Sequence, residues 1–199
     1  VVIEGNDVVL YGGRHVVINT ELFYDVTDLT KVIELTGVVT QLNDGAFLDC
    51  YGLEEVRLYG VTIAGNSAFN YCDSVTIFDL PILEQAGDYC FVGCSSNEVF
   101  NFPLLNVLGD QCFDSCSSAK TFNLPLVATI GNYSFRRTYS LPSLLNMGAT
   151  VLYNNVFQDV AGQLVTLTIP SALMTCNAGS PDGDIQYLQA NNTVTIVTT

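Results

Sequence analysis

Three segments of the chain, residues 86–94, 108–116 and 130–138, read AGDYCFVGC, LGDQCFDSC and IGNYSFRRT. Each begins with an apolar residue followed by Gly-Asx, and each has phenylalanine at its sixth position. Successive segments share one 22-residue offset, and the phase continues in both directions through Phe47, Phe69, Phe91, Phe113, Phe135 and Phe157. A fixed period of this length predicts a solenoid, in which each unit buries its apolar face only against its neighbours.

Other residue columns keep the same phase. Aspartate or asparagine stands three positions before each phenylalanine, at Asp44, Asn66, Asp88, Asp110, Asn132 and Asn154. Cysteine stands three positions after it, at Cys50, Cys72, Cys94 and Cys116. Gly-Asx predicts a turn with positive φ at the glycine, and the Asx side chain is expected to cap a short helical turn. Alternating segments such as 100–102 and 122–124, each followed by proline, predict strands.

These motifs resemble the BspA-like (Treponema-type) leucine-rich repeat. The likeness covers residues 33–172, with departures at Thr138 and Val160 in the cysteine column and at Met147 in the proline column. It implies a leucine-rich-repeat solenoid with a parallel β-sheet on one face and short helical or 3-10 turns on the other. We therefore expect about six 22-residue repeats with a cap at each end.

The ends of the chain depart from the repeat, as capping units do. We expect one domain over 1–199, divided into an N-terminal β cap (1–32), the repeats (33–172) and a C-terminal cap (173–199). Residues 1–20 are predicted to form a β-ribbon, and Ile33 and Leu35 one degenerate strand. A helix is expected over 184–190 and a last strand over 193–198.

Composition and charge exclude several classes of function. Of 199 residues, 49% are hydrophobic and 13% charged, which does not fit a disordered chain. The formal net charge of −14 argues against a nucleic-acid partner, because binding to phosphates needs clustered Lys and Arg. The sequence contains no uninterrupted apolar run long enough to cross a bilayer, so we expect no membrane insertion.

The candidate chemistry is sparse. Seven cysteines are explained best as buried free thiols of the repeat, with a ladder disulfide or a metal site as alternatives. His15 is the only histidine, and no nucleophile elbow, zinc-protease or phosphate-loop motif occurs. We expect no catalytic residue, no metal and no cofactor, and hence no enzyme.

The outward residues of the predicted strands are the most informative surface. Solenoids commonly bind ligands on such a sheet face, and this one mixes amides and hydroxyls with Ile77 and Val99. A second outward row is expected at Glu55, Ile77, Val99, Thr121, Ser143 and Thr166. The predicted ligand-binding stripe on the concave face comprises Arg57, Tyr59, Asp79, Asn101, Asn123, Leu145 and Thr168.

The favoured hypothesis is a non-catalytic recognition module that binds a protein or glycan receptor. The resemblance implies adhesion or receptor binding, because such repeats occur in surface adhesins of bacteria and protozoa and in some phage virion proteins. We therefore expect an extracellular place, on a cell surface or a virion such as a phage tail. The alternatives are a structural spacer or assembly domain of a larger surface or tail protein and, less favoured, a carbohydrate-active enzyme.

Overall fold

A computed structural model of the chain describes most of its residues. The described ranges are 2–4, 6–10, 16–19, 21–34, 37, 39–139, 144–149, 151–160, 164–174 and 182–199. Predictions that concern His15, Leu35 and Ser143 lie outside these ranges.

The described chain consists almost entirely of short strands and turns. In chain order the strands are β1 (Val2–Glu4), β2 (Asp7–Leu10), β3 (Val16–Ile18), β4 (Lys31–Glu34), β5 (Val39–Leu42), β6 (Glu55–Arg57), β7 (Ile63–Ala64), β8 (Ile77–Asp79), β9 (Gln85–Ala86), β10 (Val99–Asn101), β11 (Val107–Leu108), β12 (Thr121–Leu124), β13 (Thr129–Ile130), β14 (Leu144–Met147), β15 (Val151–Leu152), β16 (Leu164–Ile169) and β17 (Thr193–Thr198). A 3-10 helix, Ser171–Met174, and one α-helix, α1 (Gly183–Asn191), lie near the C-terminal end.

Each 22-residue unit, called a coil below, contributes to two parallel sheets. The first sheet runs β1-β2-β4-β6-β8 and, after an interruption, β10-β12-β14-β16-β17. The second sheet runs β15-β13-β11-β9-β7-β5-β3 without interruption. The sequence predicted the strands of the first sheet but not the two-residue strands of the second. The leucine-rich-repeat solenoid is confirmed, with two strands and one turn region in each coil.

The predicted phenylalanine column forms a continuous stack in the core. Consecutive rings from Phe47 to Phe157 lie 5.3–5.7 Å apart between centroids and are nearly parallel. Phe23 extends the stack, 5.0 Å from Phe47. The sequence missed Phe23 because its separation from Phe47 does not match the period of the other six. All six phenylalanines predicted to stack are fully buried.

The turn region around each phenylalanine has a repeated backbone geometry that differs from the prediction. Residues in the left-handed region lie two positions before and two after each ring, from Glu21 to Asp159, and only Gly45 and Gly93 among them are glycine. The glycine of each Gly-Asx pair is needed for space instead. A Cβ on Gly87 would lie 2.5 Å from the Oδ1 atom of Asn66 in the preceding coil.

The Asx side chains connect coils and do not cap their own turns as predicted. Asn66 Oδ1 accepts a hydrogen bond from the backbone N–H of Asp88 at 2.9 Å. Asp88 Oδ1 accepts from Asp110 N at 2.8 Å, and Asp110 Oδ1 from Asn132 N at 2.8 Å. This arrangement repeats because the backbone N–H of each Asx residue lies next to the Asx side chain of the preceding coil. The column is therefore a hydrogen-bonded ladder along the solenoid.

The register of β14 differs by one residue from the prediction. Asn146 pairs with Asn123 and Thr168, whereas Leu145 pairs with Phe122. The predicted place of Leu145 is therefore wrong. Ten positions separate Leu145 from Phe135, whereas nine separate its pairing partner Phe122 from Phe113. A shift of one residue exchanges the two faces of a strand.

The predicted N-terminal ribbon is present only in part, since β1 and β2 form an antiparallel hairpin but β3 pairs in parallel with β5 in the second sheet. The degenerate strand is present as β4, but its alternation is opposite to the prediction. Val32 and Glu34 are its fully buried residues, and Ile33 pairs with Arg57 in the outward column. The Glu34 carboxylate accepts hydrogen bonds from the backbone N–H groups of Val39 and Gly60. This pairing satisfies a charge that would otherwise be costly to bury.

The C-terminal end contains the predicted helix and last strand. Helix α1 begins after Asp182, whose side chain accepts from the backbone N–H of Asp184 at 2.8 Å. Strand β17 pairs in parallel with β16 over six residues. Helix α1 also completes the turn side. In the other coils the backbone N–H groups of the turn donate to carbonyls of the following coil, and side chains of α1 accept these hydrogen bonds from the last turn. Asp184 accepts from Phe157 N at 3.5 Å, and Tyr187 from Asp159 N at 3.2 Å.

Candidate functional site

The predicted stripe begins with a network of charged side chains on β4, β6 and β8. Arg57 forms ion pairs with Glu55 and, at 3.3 Å, with Asp79 in the next coil. Lys31 lies 3.6 Å from Glu55. These side chains are about one-fifth to two-fifths exposed, so water screens their attraction and they contribute little to folding stability. They do fix the position of the Asp79 carboxylate at the surface.

The pKa values of this network follow from its hydrogen bonds. The Arg57 guanidinium lowers the pKa of Glu55, to which Lys31 adds a smaller effect. Glu55 in turn raises the pKa of Arg57, with a further contribution from the hydroxyl of Tyr59. Both groups are therefore charged over the physiological range. Tyr59 is 39% exposed and lies two residues beyond Arg57, where its ring is available to a ligand.

The stripe continues as a row of amides on the later coils. Asn123 donates from Nδ2 to Asn101 Oδ1 at 2.7 Å. Asn146 and Thr168 follow in register. We use the name polar stripe for Arg57, Asp79, Asn101, Asn123 and Thr168. The structure therefore brings together five of the predicted residues in one column and places Tyr59 beside it, whereas the register does not align Leu145 with them.

A cleft crosses the polar stripe between Asp79 and Asn101. Strands β8 and β10 belong to separate ladders, although every other neighbouring pair described in the first sheet is hydrogen-bonded. A cavity of about 280 Å³ opens there, with Arg57, Asp79 and Asn101 in its lining. Ile77 and Val99, which are 39% and 50% exposed, add apolar walls. We call this cleft the seam.

The side chain of Asn97 accounts for part of the interruption. Elsewhere in the first sheet Leu58 N donates to Asp79 O at 3.0 Å and Phe102 N to Asn123 O at 3.1 Å. The same register would direct the N–H of Phe78 to the carbonyl of Val99. That carbonyl instead accepts from Asn97 Nδ2 at 2.9 Å.

Bulky rings in the core add to the separation. Phe78 and Phe100 are 6.0 Å apart, whereas Phe100 and Phe122 are 5.1 Å apart on the paired strands β10 and β12. The coil that contains Phe100 also carries Phe91 and Phe102, which form ring contacts with one another at 5.2 Å. Phe100 and Phe102 need more space than Val56 and Leu58, which occupy the corresponding positions in the coil of Phe47.

Sequence reasoning missed the seam, although one signal was present. In the described coils 44–139, Asn97 occupies a column shared with Leu53, Val75 and Ala119, which are all buried and apolar. Asn97 is itself only 1% exposed. A lone amide in an apolar column indicates a local change in hydrogen bonding, because a buried amide must find partners.

The cysteine column is packed core, as the sequence predicted. Six of the seven cysteines lie in the described ranges, and all six are buried free thiols. Cys72, Cys94 and Cys116 each donate from Sγ to a phenylalanine carbonyl of the preceding coil at 3.1–3.2 Å. Burial raises the pKa of these thiols well above the ordinary value, and that of Cys50 to about 12. Such thiols are poor nucleophiles and poor metal ligands.

The paired arginines of the fifth unit bind one carboxylate on the turn side. Asp114 is 2% exposed in its side chain and accepts from both Arg136 and Arg137. Burial alone would raise the pKa of Asp114, but the two guanidiniums lower it below its ordinary value. Arg136 also lies over the ring of Tyr133, 5.1 Å from the centroid. These arginines serve the coil-to-coil contact and lie on the other side from the polar stripe.

A second cavity, of about 460 Å³, lies between the last coil and α1, with Asn154, Asp184 and Tyr187 in its lining. Asp184 and Tyr187 already complete the turn side, so we assign this cavity to capping. Within the described ranges, no three His, Cys, Asp or Glu side chains form a group that could hold a metal ion. Of the helices described, none has the length and apolar character to cross a membrane.

Comparisons with known proteins agree with this architecture. The model of the BspA type leucine rich repeat region matches residues 16–142 and 62–180, with six copies. A leucine rich cell surface protein of Faecalibacterium prausnitzii has a similar structure, with a TM-score of 0.68 and 23% sequence identity. The match covers 82% of this chain and only 47% of that protein. A leucine-rich repeat protein of T. pallidum has a TM-score of 0.64 and 18% identity over 98% of this chain and 87% of its own. No curated protein sequence matches the chain. The chain belongs to the BspA-type leucine-rich repeat family.

Proposed function

We propose that this chain is a non-catalytic recognition module that binds a protein or glycan ligand through the polar stripe, with the seam at its centre. The observation that carries the proposal is the interruption between β8 and β10. It creates a cavity of about 280 Å³ on an otherwise continuous sheet, and residues of the stripe line it. Pockets with a few convergent polar groups between apolar walls are typical ligand sites.

The chemistry of the stripe favours a neutral or basic ligand. A guanidinium, a carboxylate and successive amides stand in line, and neighbouring strands are about 4.8 Å apart. Amides and carboxylates offer both donors and acceptors to hydroxyl groups or to a peptide backbone. The net charge of −14 opposes an anionic partner such as a nucleic acid. A saccharide chain or a loop of a receptor protein meets these conditions.

We further propose a place on a cell surface, in an adhesive or receptor-binding role. The similar Faecalibacterium protein is described as a cell surface protein, which supports this location by analogy. The two relatives do not favour the alternative of a virion or phage tail. A glycosidase is not favoured on this face, because its general acid needs a raised pKa, whereas the pKa of Glu55 is lowered.

The proposal is tested in two steps, on glycan and protein arrays and then with variants. The chain should give specific hits, and the triple variant Asp79→Ala, Asn101→Ala, Asn123→Ala should bind a hit at least tenfold more weakly, about 1.4 kcal/mol. The matched control is Gln85→Ala, Val107→Ala, Thr129→Ala, which removes exposed side chains of the same coils on the second sheet. This control should bind as the unmodified chain does.

Three outcomes would contradict the proposal. Arrays without any specific hit would favour the spacer or assembly alternative. Loss of binding in the control with no effect of the first triple variant would move the site to the second sheet. Equal, small effects of both sets would place it on the turn side or at an end. Thermal melting of each variant shows whether the fold is intact.

A further inference from the structure

The edge strand β17 differs from every other edge strand described. It is six residues long, and all of its backbone pairing is with β16 on one side. The other edge strands of the described sheets are β1, β3, β15 and, at the seam, β8 and β10, and each has only two or three residues. A long edge with free N–H and C=O groups is a template for pairing with another chain.

The composition of β17 is that of a pairing strand. Its sequence, TVTIVT, consists entirely of β-branched residues and contains no charge, proline or glycine. Edge strands that avoid association usually carry Lys, Pro or a bulge, and β17 has none of these. Val194 and Ile196 pack against the core, and Thr193, Thr195 and Val197 are exposed on the opposite face.

We infer that β17 pairs with β17 of a second copy of this chain, antiparallel about a two-fold axis, and so joins two five-stranded ladders into one sheet. A two-fold axis perpendicular to the sheet keeps core-facing residues on the core face. With Thr195 on the axis, Val194 lies opposite Ile196 of the partner, and Thr193 lies opposite Val197. Apolar residues then meet on the core face on both sides of the axis, which is the favourable cross-strand arrangement.

The distribution of charge favours self-association at this end. The chain has 26 charged residues, the sum of 6 basic and 20 acidic, but residues 160–199 contain only Asp182 and Asp184. Two copies of a chain with a net charge of −14 repel each other least where neither carries charge. The N-terminal end is different, since Glu21, Asp25 and Asp28 lie exposed in its first coil.

A head-to-tail contact between β17 and β1 of another copy is the competing arrangement. Strand β1 offers only three residues, and one of them is Glu4. Such a contact would also be heterologous and would build open filaments, whereas the two-fold contact closes on itself. We therefore assign β17 to a closed dimer.

The test measures mass in solution and uses a matched pair of lysine variants. Sedimentation of the chain should give about twice 21.6 kDa at high micromolar concentration and dissociation on dilution. Thr195→Lys places two ammonium groups at the axis and should raise the dissociation constant at least tenfold. Thr166→Lys is the control, because Thr166 pairs with Thr195 on the same face but one strand inside the edge. This control should remain a dimer.

A cysteine variant tests the register independently of stability. Thr195→Cys places two thiols directly opposite each other, with Cβ atoms about 4.5–5.5 Å apart, and mild oxidation should give a covalent dimer. Thr193→Cys faces valine across the axis and should not. The proposal is overturned by a monomer at all concentrations, by a mass that grows beyond two copies, or by a Thr195→Lys variant that dimerises as well as Thr166→Lys. Cross-linking of Thr193→Cys but not Thr195→Cys would also overturn it.

Discussion

The turn side and the first sheet are built from the same coils, but only the turn side is uninterrupted. Seven phenylalanine rings stack along it with centroid distances of 5.0–5.7 Å throughout. The first sheet divides between β8 and β10. The turn side repeats one residue in its central column, so every coil fits the next in the same way. The corresponding inward column of the sheet changes from Val56 to Phe78, and the fit changes with it.

This comparison shows that a repeat is only as regular as its most variable buried column. The Asx ladder tolerates exchange of Asp for Asn because both offer the same oxygen to the next coil. The column that contains Asn97 does not tolerate an amide in the same way, because the amide takes a carbonyl from the strand ladder. Small changes at buried positions thus create a distinct surface on an otherwise uniform solenoid.

The largest expected effect comes from truncating the continuous stack. Phe113→Ala should lower the free energy of unfolding by about 3–5 kcal/mol, because Phe113 contacts five other rings and leaves an enclosed cavity. Phe78→Ala should cost about 1 kcal/mol less, since this ring borders the seam and water can enter the space left behind. Urea denaturation followed by circular dichroism measures both.

Phe122→Ala is the matched control for Phe78→Ala. Both residues are in the inward column of the first sheet, but Phe122 is on a strand that pairs on both sides. It should behave as Phe113 does. If Phe78→Ala costs as much as Phe122→Ala, the seam is closed in solution and the contrast between the two sides of the coil disappears.

A smaller effect is expected from replacing Asn97 by the residue typical of its column. Asn97→Val should release the carbonyl of Val99 to the N–H of Phe78 and close the ladder. The free energy of unfolding should change by about 1 kcal/mol or less, because one hydrogen bond replaces another. Hydrogen exchange of the Phe78 amide should slow at least tenfold. The matched control Val75→Ile, in the same column, should leave that exchange unchanged.

The opposite result would be equally informative. Destabilisation by about 1–3 kcal/mol without slower exchange would mean that the Val99 carbonyl has lost its partner and found no other. In that case the rings of Phe78 and Phe100, not the amide of Asn97, keep the strands apart.

Most of the fold was predictable from the sequence because its core is periodic. The six stacked rings, the buried thiols and the strands of the first sheet all follow from columns that recur once in every coil. The two-residue strands of the second sheet were missed because so short a segment shows no alternation. Phe23 and the alternation of β4 were missed for a related reason, since the first coil is longer than the others.

The candidate site was predictable only in part. Arg57, Asp79, Asn101 and Asn123 follow from strand alternation in coils of equal length. Leu145 was misplaced because the 22-residue spacing of Phe135 and Phe157 conceals a one-residue shift of β14 within the fifth coil. The seam depends on how Asn97 packs against the neighbouring rings, and the sequence alone does not show this packing. Whether the stripe binds a ligand stays a prediction.

The smallest expected effect concerns the end of the turn side, where no further coil is stacked beyond Phe157 in the described chain. Asp184 accepts from Phe157 N there, and desolvation, with a smaller contribution from Asp182, raises the pKa of Asp184 from 3.8 to about 6. Between about pH 4 and pH 6 the folded chain therefore binds more protons than the unfolded chain, and this group makes stability fall as the pH rises.

Asp184→Asn keeps an oxygen for Phe157 and removes the charge. The free energy of unfolding of the variant minus that of the unmodified chain should therefore increase from pH 4 to pH 7, by about 1 kcal/mol at most after solvent screening. Thermal or urea unfolding at several pH values measures this difference, in which the titration of the other carboxylates cancels. A difference that stays constant, or that decreases towards pH 7, would mean that folding does not raise the pKa of Asp184.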